Sequence, residues 1–343
     1  MSNMTESRLG LNKGGSDNFE LFLKQFSGEV LTAFEKRNVM MPLHTVRTIT
    51  SGKSAQFPMT GRTTASYHTP GDEILGTAID HSERVINIDN LLVSSAFIAN
   101  IDEAMNHYDV RSIYSAEMGY ALSEHADKAL IRTVLAGSFD ATDPIGNAGG
   151  GSLVVGTSGD TVVEKLLELA QKFDETSIPQ GDRYAVVTPA TYYAVLKAAG
   201  GTGAGAGILN RDFGGTATPT RGDQSLMVGG IQVLMSNNIP TANENDDGGG
   251  AVDTTLGSTL VRNAPFNDAG IGSAGADEGY SGIDFSNTVG VGFHRSAIGT
   301  VKLLDLAVES DYLVQNQGNL MVAKYAMGHN YLRADACVQL KSA

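Results

Sequence analysis

Small and apolar residues recur at helical spacing along one stretch, from Asn100 to Gly137. Ile101, Ala104, Met105, Tyr108, Ser112, Ala116, Gly119, Leu122, Ala126, Leu130 and Val134 fall on one face. Asn100 and Glu103 stand three apart, as the Ncap and N3 positions of a capping box require, and Gly137 suits the C′ position. The pattern predicts a single helix of roughly 50 Å, at ~1.5 Å per residue. The middle of its face is small (Ser112, Ser115, Ala116, Gly119), so a sheet is expected to approach closely there. On pattern alone the same stretch also fits the core helix of an ordinary domain.

A shorter amphipathic helix is predicted from Ser16 to Arg37, with Asp17 and Glu20 as its capping box. Phe19, Phe22, Leu23, Phe26, Val30 and Phe34 form a stripe too apolar to stand in water. It packs either on its own domain or on a neighbouring subunit, and the pattern does not choose. Residues 45–98 change to strand alternation. Val46, Thr48 and Thr50 lead into Ala55, Phe57 and Met59, and Arg84 to Asp89 alternates again. Between them lies a turn-rich tip, His68-Thr69-Pro70-Gly71-Asp72-Glu73. This reads as two arms around a loop, thinly apolar and in need of outside support, because a two-stranded hairpin is marginal by itself. Two ordinary strands of a larger sheet are the competing interpretation.

Past the long helix, Pro144 to Gly159 is a glycine-rich break. Thr161 and Glu164 form a further capping box, and Val162, Val163, Leu166, Leu167, Ala170 and Phe173 give the following helix its apolar face. Tyr184 to Thr188 is a buried strand, and Pro189 opens a helix through about Ala199. Strand–helix alternation predicts a compact α/β or α+β unit over about residues 150–290. Val228 to Ser236, Thr288 to Phe293, Thr300 to Val308 and Ala336 to Leu340 are further strands.

The chain has 343 residues and a net charge of -14. That length allows two domains, or one with large insertions. The charge argues against tight binding of nucleic acid through clustered Lys and Arg. Half of it lies in residues 241–284, where eight acids face the single Arg262, so this glycine-rich segment is expected to be a surface insertion. The one cysteine, Cys337, excludes an intramolecular disulfide. The polar, Gly/Asn/Ser-rich start lacks the order of a secretory signal, and no apolar run reaches the ~20 residues of a membrane span. A soluble protein made in a cytoplasm is the expectation.

Catalytic and ligand chemistry is sparse. His44, His68, His81, His107, His125, His294 and His329 show no metal-binding spacing, and His107 and His125 are expected on a helix surface. Gly201 to Gly207 imitates a phosphate loop but follows a helix and lacks Gly-Lys-Ser/Thr. Asn243, Asn245 and Asp247 imitate the start of a calcium loop, and a weak divalent ion there is a minor candidate, because Thr254 stands where a bidentate Glu is needed. No Gly-x-Ser-x-Gly elbow occurs, and Cys337 is expected to be an inert core thiol. No catalytic residue, cofactor or metal is predicted.

Five blocks carry a resemblance. Gly28-Glu-Val-Leu-Thr-Ala-Phe34, Ser51-Gly-Lys-Ser-Ala-Gln-Phe-Pro58, Glu103-Ala-Met-Asn-His-Tyr-Asp-Val-Arg-Ser112, His294-Arg-Ser-Ala with Gly299-Thr-Val-Lys302, and Ala323-Lys-Tyr-Ala-Met-Gly-His329 stand in one order from about residue 19 to 333. Together they closely resemble the major capsid proteins of short-tailed podophages of the T-seven type. The resemblance implies an α+β fold, the HK-ninety-seven-type capsid fold, with an N-terminal arm (1–45), an extended E-loop hairpin (46–90), a peripheral domain with a spine helix (91–138), an axial domain (139–287) that includes the acidic insertion 241–284, and peripheral-domain strands (288–343). Residues 139–287 match the family least.

The implied role is assembly without turnover: hexamers and pentamers tiling an icosahedral shell around a tailed phage's double-stranded DNA. The implied assembly contacts are Lys53, Gln56, Phe57 and Arg62 in the E-loop and Phe22, Phe26 and Phe34 in the N-arm, with Glu103, Tyr108 and Arg111 on the spine helix. The implied partners are other copies of the chain, a scaffolding protein, a portal and, for the insertion, a decoration protein, with no membrane and no sequence-specific DNA contact. The virion capsid is the implied location, after synthesis in a bacterial cytoplasm. A cellular nanocompartment shell of the same fold and an acidic soluble enzyme are the alternatives.

Overall fold

The computed structural model describes residues 38–61, 63, 65, 67–71, 73, 76, 78–79, 81–88, 91–101, 110–140, 149–156, 158–199, 226–240 and 285–342. The predicted helix 16–37, the Gly201–Gly207 loop and the calcium-like segment from Asn243 lie outside the described residues. In chain order the elements are β1 (Thr45–Thr48), β2 (Ser54–Thr60), β3 (His81–Asn87), β4 (Leu92–Ala99), α1 (Val110–Phe139), β5 (Ser152–Val155), α2 (Gly159–Glu175), β6 (Arg183–Val187), α3 (Pro189–Ala199), β7 (Leu226–Val228), β8 (Ile231–Met235), β9 (Thr288–His294), β10 (Ile298–Leu313), β11 (Gly318–Tyr331) and β12 (Cys337–Ser342). The order within the sheets is β1-β10-β11-β4, β5-β12-β9-β6-β8-β7, and β2-β3 as a separate pair.

The long helix is the bridge between the two larger sheets. Its middle lays Met118, Leu122 and Ala126 on Ile98, Met321, Ala323, Tyr325 and Met327 of the four-stranded sheet. Its last turns enter the core of the six-stranded sheet, where Leu130, Ile131, Val134, Leu135 and Ala136 lose all exposure. A helix apolar on one stripe in its middle and buried all round at its end is what contact with two layers produces. Polar groups in the buried part bond back along the helix: Thr133 Oγ1 donates to the Ala129 carbonyl at 2.8 Å and Ser138 Oγ to that of Leu135 at 2.7 Å.

Several expectations need correction. α1 runs on to Phe139, so Gly137 is not its C′ residue. Glycine is required there because a Cβ would stand 2.9 Å from Cys337 Sγ and 3.1 Å from Tyr331 Cβ. The end of the helix is capped by the glycine-rich stretch instead: the Gly151 amide donates to the Ser138 carbonyl at 2.9 Å and that of Gly149 to Asp140 at 2.8 Å. Gly119, in the small middle of the face, borders open space, where a Cβ would meet no atom within 4 Å, so the close approach comes near the C-terminus of the helix. Residues 100 and 101 are helical, while Glu103 and Tyr108 lie outside the described residues.

β5 lies inside what reads as a break, and Val228–Ser236 is two strands with a turn at Gly229 and Gly230, both at positive φ (57° and 79°), the backbone of a tight hairpin. On α2, Leu169 is buried and Leu167 is exposed, and the N-cap is Ser158, whose carbonyl accepts from Thr161 Oγ1 at 2.6 Å. The 14-residue β11 has no counterpart among the predicted strands. From Tyr325 on, every residue is buried, because α1 covers one face and the β3 hairpin root reaches the other, so the alternation that betrays a strand is gone. His125 is half-buried, with Nδ1 3.4 Å from the Tyr325 hydroxyl, and not a surface residue. By contrast, β6, α3, β9 and the buried Cys337 at the start of β12 match the sequence expectations.

Candidate assembly surfaces

The β2–β3 hairpin pairs in seven registers, from Ser54↔Asn87 to Thr60↔His81, and joins neither larger sheet. Alternation gives it two faces. Ala55, Phe57 and Met59 are buried on one, and Ala55 and Phe57 at its root pack with Ile86 on Val301 of β10. Ser54, Gln56, Pro58 and Thr60 are exposed on the other. Lys53 is exposed at the root, and its carbonyl accepts from the Ile88 amide at 2.8 Å. Gln56 reaches Glu83 Oε1 at 3.4 Å, and its carbonyl accepts from Arg47 Nη1 at 2.8 Å. Arg47 also stacks 4.5 Å above the Phe57 ring, so Phe57 serves the hairpin's own root. Arg62 and the stripe Phe22, Phe26 and Phe34 lie outside the described residues; Arg111 is on α1.

A latch that the sequence analysis missed fixes the hairpin's angle. Arg84 of β3 lies 4.2 Å above the ring of Tyr331, at the end of β11, and 3.5 Å from Asp140 Oδ2, just past α1. The Tyr331 hydroxyl donates to the same carboxylate at 2.7 Å. Burial, then the bond to Asp140, pushes the Tyr331 phenol up, so it stays a donor throughout the accessible pH range. Beside it, Gly328 lets the Asn87 backbone rest directly on β11; a Cβ there would collide with the Asn87 carbonyl. These residues are far apart in sequence, and no local pattern links them.

The second surface is the outer face of the four-stranded sheet. β4 turns Leu92, Ala96 and Ile98 toward α1 and Val93 and Phe97 away from it. Val93 is 48 % exposed and Phe97 46 %. Cross-strand register sets Val93 beside Lys324, Ser95 beside Val322 and Phe97 beside Leu320. Lys324 Nζ pairs with Glu309 Oε2 at 2.7 Å along the same face. An apolar strip rimmed by one ion pair is a surface suited to burial against protein. A strand with large apolar residues at both odd and even positions was its signal in the sequence.

Among the described residues no group of three or more His, Cys, Asp or Glu is placed to hold a metal, and no helix is long and apolar enough to cross a membrane. A cleft of about 440 Å³ between α2 and α3 is lined by Ser158, Gly159, Asp160, Ala190, Ala194, Lys197 and Ala198.

Comparison with known proteins gives this architecture its context. The sequence model of the family described as "Gp10A-like: Major capsid protein" matches residues 56–341. The chain is 35 % identical over 350 residues to the major capsid protein of Enterobacteria phage T3, covering 96 % of this chain and 94 % of that one. It is 33 % identical over 359 residues to the major capsid protein of Escherichia phage T7, covering 98 % and 97 %. Among solved structures, the capsid of the cyanophage P-SCSP1u is similar with a TM-score of 0.75 and 36 % identity, over 100 % of this chain and 99 % of the other. The fold is thus the tailed-phage capsid fold, of mixed α+β class. These relatives are structural proteins of phages, which displaces both the nanocompartment and the enzyme readings. The chain belongs to the Gp10A-like family of phage major capsid proteins.

Proposed function

We propose that this chain self-assembles as hexamers and pentamers into an icosahedral shell that encloses a tailed phage's double-stranded DNA. The observation that carries the reading is the two-stranded hairpin that joins neither larger sheet, on a subunit whose four-stranded sheet leaves an apolar outer face bare. In the assembled shell the hairpin of one subunit lies over the next, and residues 46–90 act as the E-loop. Residues 1–45 act as the N-arm, α1 as the spine of the peripheral domain 91–138, and 139–287 as the axial domain, with 288–343 returning to the periphery. Many weak contacts repeated around a closed shell add up to a stable whole.

Lys53, Gln56 and Arg62 serve as E-loop contacts, and Phe22, Phe26 and Phe34 as an N-arm stripe. A scaffolding protein and a portal are the partners of assembly, and a decoration protein meets the acidic insertion 241–284. Synthesis takes place in the bacterial host's cytoplasm. The net charge of -14 supports a shell that holds the genome without gripping it. Negative-stain electron microscopy of the protein expressed with its neighbouring scaffold gene is the test. Closed shells are the expected result, and only small uniform oligomers across salt and concentration would overturn the reading.

A further inference from the structure

The start of the described chain is tied to the body by buried polar groups. The Val39 and Met40 amides donate to Asp127 Oδ2 and Oδ1 of α1 at 3.0 and 2.9 Å. Asn238 Nδ2 donates to the same carboxylate at 3.4 Å. Four residues on, His44 is buried with Nδ1 2.9 Å from the Met40 carbonyl and Nε2 2.5 Å from Thr300 Oγ1 of β10. Thr300 Oγ1 in turn lies 2.8 Å from Nδ1 of His329 on β11, and both are buried. Three side chains from three segments form one line.

The proton positions follow from the chemistry. A carbonyl only accepts, so His44 Nδ1 carries the proton. The Nε2 of the neutral ring is then bare, and the Thr300 hydroxyl donates to it. With its single proton spent there, that oxygen accepts from His329 Nδ1. The line is satisfied with both rings neutral and every proton pointing the same way. Charging His44 sets an N–H against an O–H, so the hydroxyl must turn over and His329 must change tautomer. Charging both rings points two N–H groups at one hydroxyl whose own proton then has no acceptor in the line.

The surroundings add to this. Lys302 of β10 and Arg295 before it bear on His44, and Lys302 and His125 bear on His329. His125 faces Arg132 and Lys128 of its own helix, and Tyr325 of β11. The nearby acids are Asp127, committed to two amides, and Glu124, 3.3 Å from Lys128. Burial, first, holds His44 and His125 down to about 4 and His329 to about 3.

We propose that His44, Thr300 and His329 form an acid-released clamp on residues 38–48, closed while both rings are neutral and opened when they protonate. Those residues lead into the β2–β3 hairpin, so acid loosens the hairpin's root before it unfolds the body. The direction follows from linkage. In the open state the imidazoles titrate near ~6.5, and in the closed state they titrate lower. The clamp is therefore at full strength above about pH 6.5 and weakens as pH falls toward 4.

Amide hydrogen exchange on the full chain, corrected for intrinsic rates, tests this from about pH 7.5 to about pH 4.5. Protection of residues 38–48 is expected to fall by about tenfold or more per pH unit below 6, while β6 and β9 keep theirs. H44Q and H329Q should each flatten that slope, and T300V should raise exchange of 38–48 by roughly tenfold already at neutral pH. Unchanged protection of 38–48 in the wild type down to about pH 4.5, or its loss together with β6 and β9, would overturn the proposal. So would wild-type slopes in both histidine variants. The wild-type series decides even if a variant fails to fold, and its readout does not depend on whether shells form.

Discussion

Single glycines mark where backbones meet in this subunit. Gly137 faces Cys337 and Tyr331, and Gly328 faces the Asn87 backbone, whereas Gly119 faces open space on the same helix as Gly137. Alanine at 137 or 328 forces overpacking and is expected to cost about 1–3 kcal/mol. Alanine at 119 only adds helix propensity, a gain of about 0.5–1 kcal/mol. Chemical denaturation of the unassembled subunit checks the contrast in sign, and a gain at Gly137 would refute its close packing on Cys337 and Tyr331. Of these three positions, only the presence of glycine was legible in the sequence. Which glycine carries the contact depends on residues some two hundred positions away.

At the scale of elements, the hairpin behaves as a lever with a locked root. Arg84 is held by the Tyr331 ring and by Asp140, and the root residues Ala55, Phe57 and Ile86 pack on Val301. Arg84→Ala is expected to free the hairpin without unfolding the sheets. Limited proteolysis should cut faster between residues 60 and 81, while loss of the largely buried ion pair and of the stacking on Tyr331 costs the subunit about 1–3 kcal/mol. Tyr331→Phe, which keeps the ring and removes the hydroxyl that donates to Asp140, should cost about 0.5–1.5 kcal/mol. The arms themselves were readable from alternation at Ala55, Phe57 and Met59. The latch was not, since its three members come from β3, β11 and the loop after α1 and none is unusual in its own neighbourhood.

At the scale of the whole molecule, the two sheets share one helix, and the outer face of the four-stranded sheet is left bare. Val93 and Phe97 are about half exposed in the single subunit, so V93D together with F97D should leave its melting temperature within a few degrees of the wild type. In an assembly that buries this face, two desolvated carboxylates are prohibitive. Sedimentation and electron microscopy should then find folded subunits and no shells, whereas normal shells would show that the face stays open. The proposed peripheral place of residues 241–284 predicts that deleting them leaves shell formation intact, and loss of all shells in that variant would refute it.

Short windows of sequence carry the local architecture: the long helix, the thin hairpin arms, β6 followed by the Pro189 helix, and β9. Each follows from a periodicity or a cap contained in a short window, and the five ordered blocks tied that set to one family. The rest follows from packing between distant segments. β11 loses its alternation because it is covered from both sides, the Gly229–Gly230 turn divides what reads as one strand, and Leu169 replaces Leu167 inside. The His44–Thr300–His329 line joins residues 256 and 29 positions apart. Such contacts are set by which layers stack on which, and a chain read a few residues at a time does not contain that information.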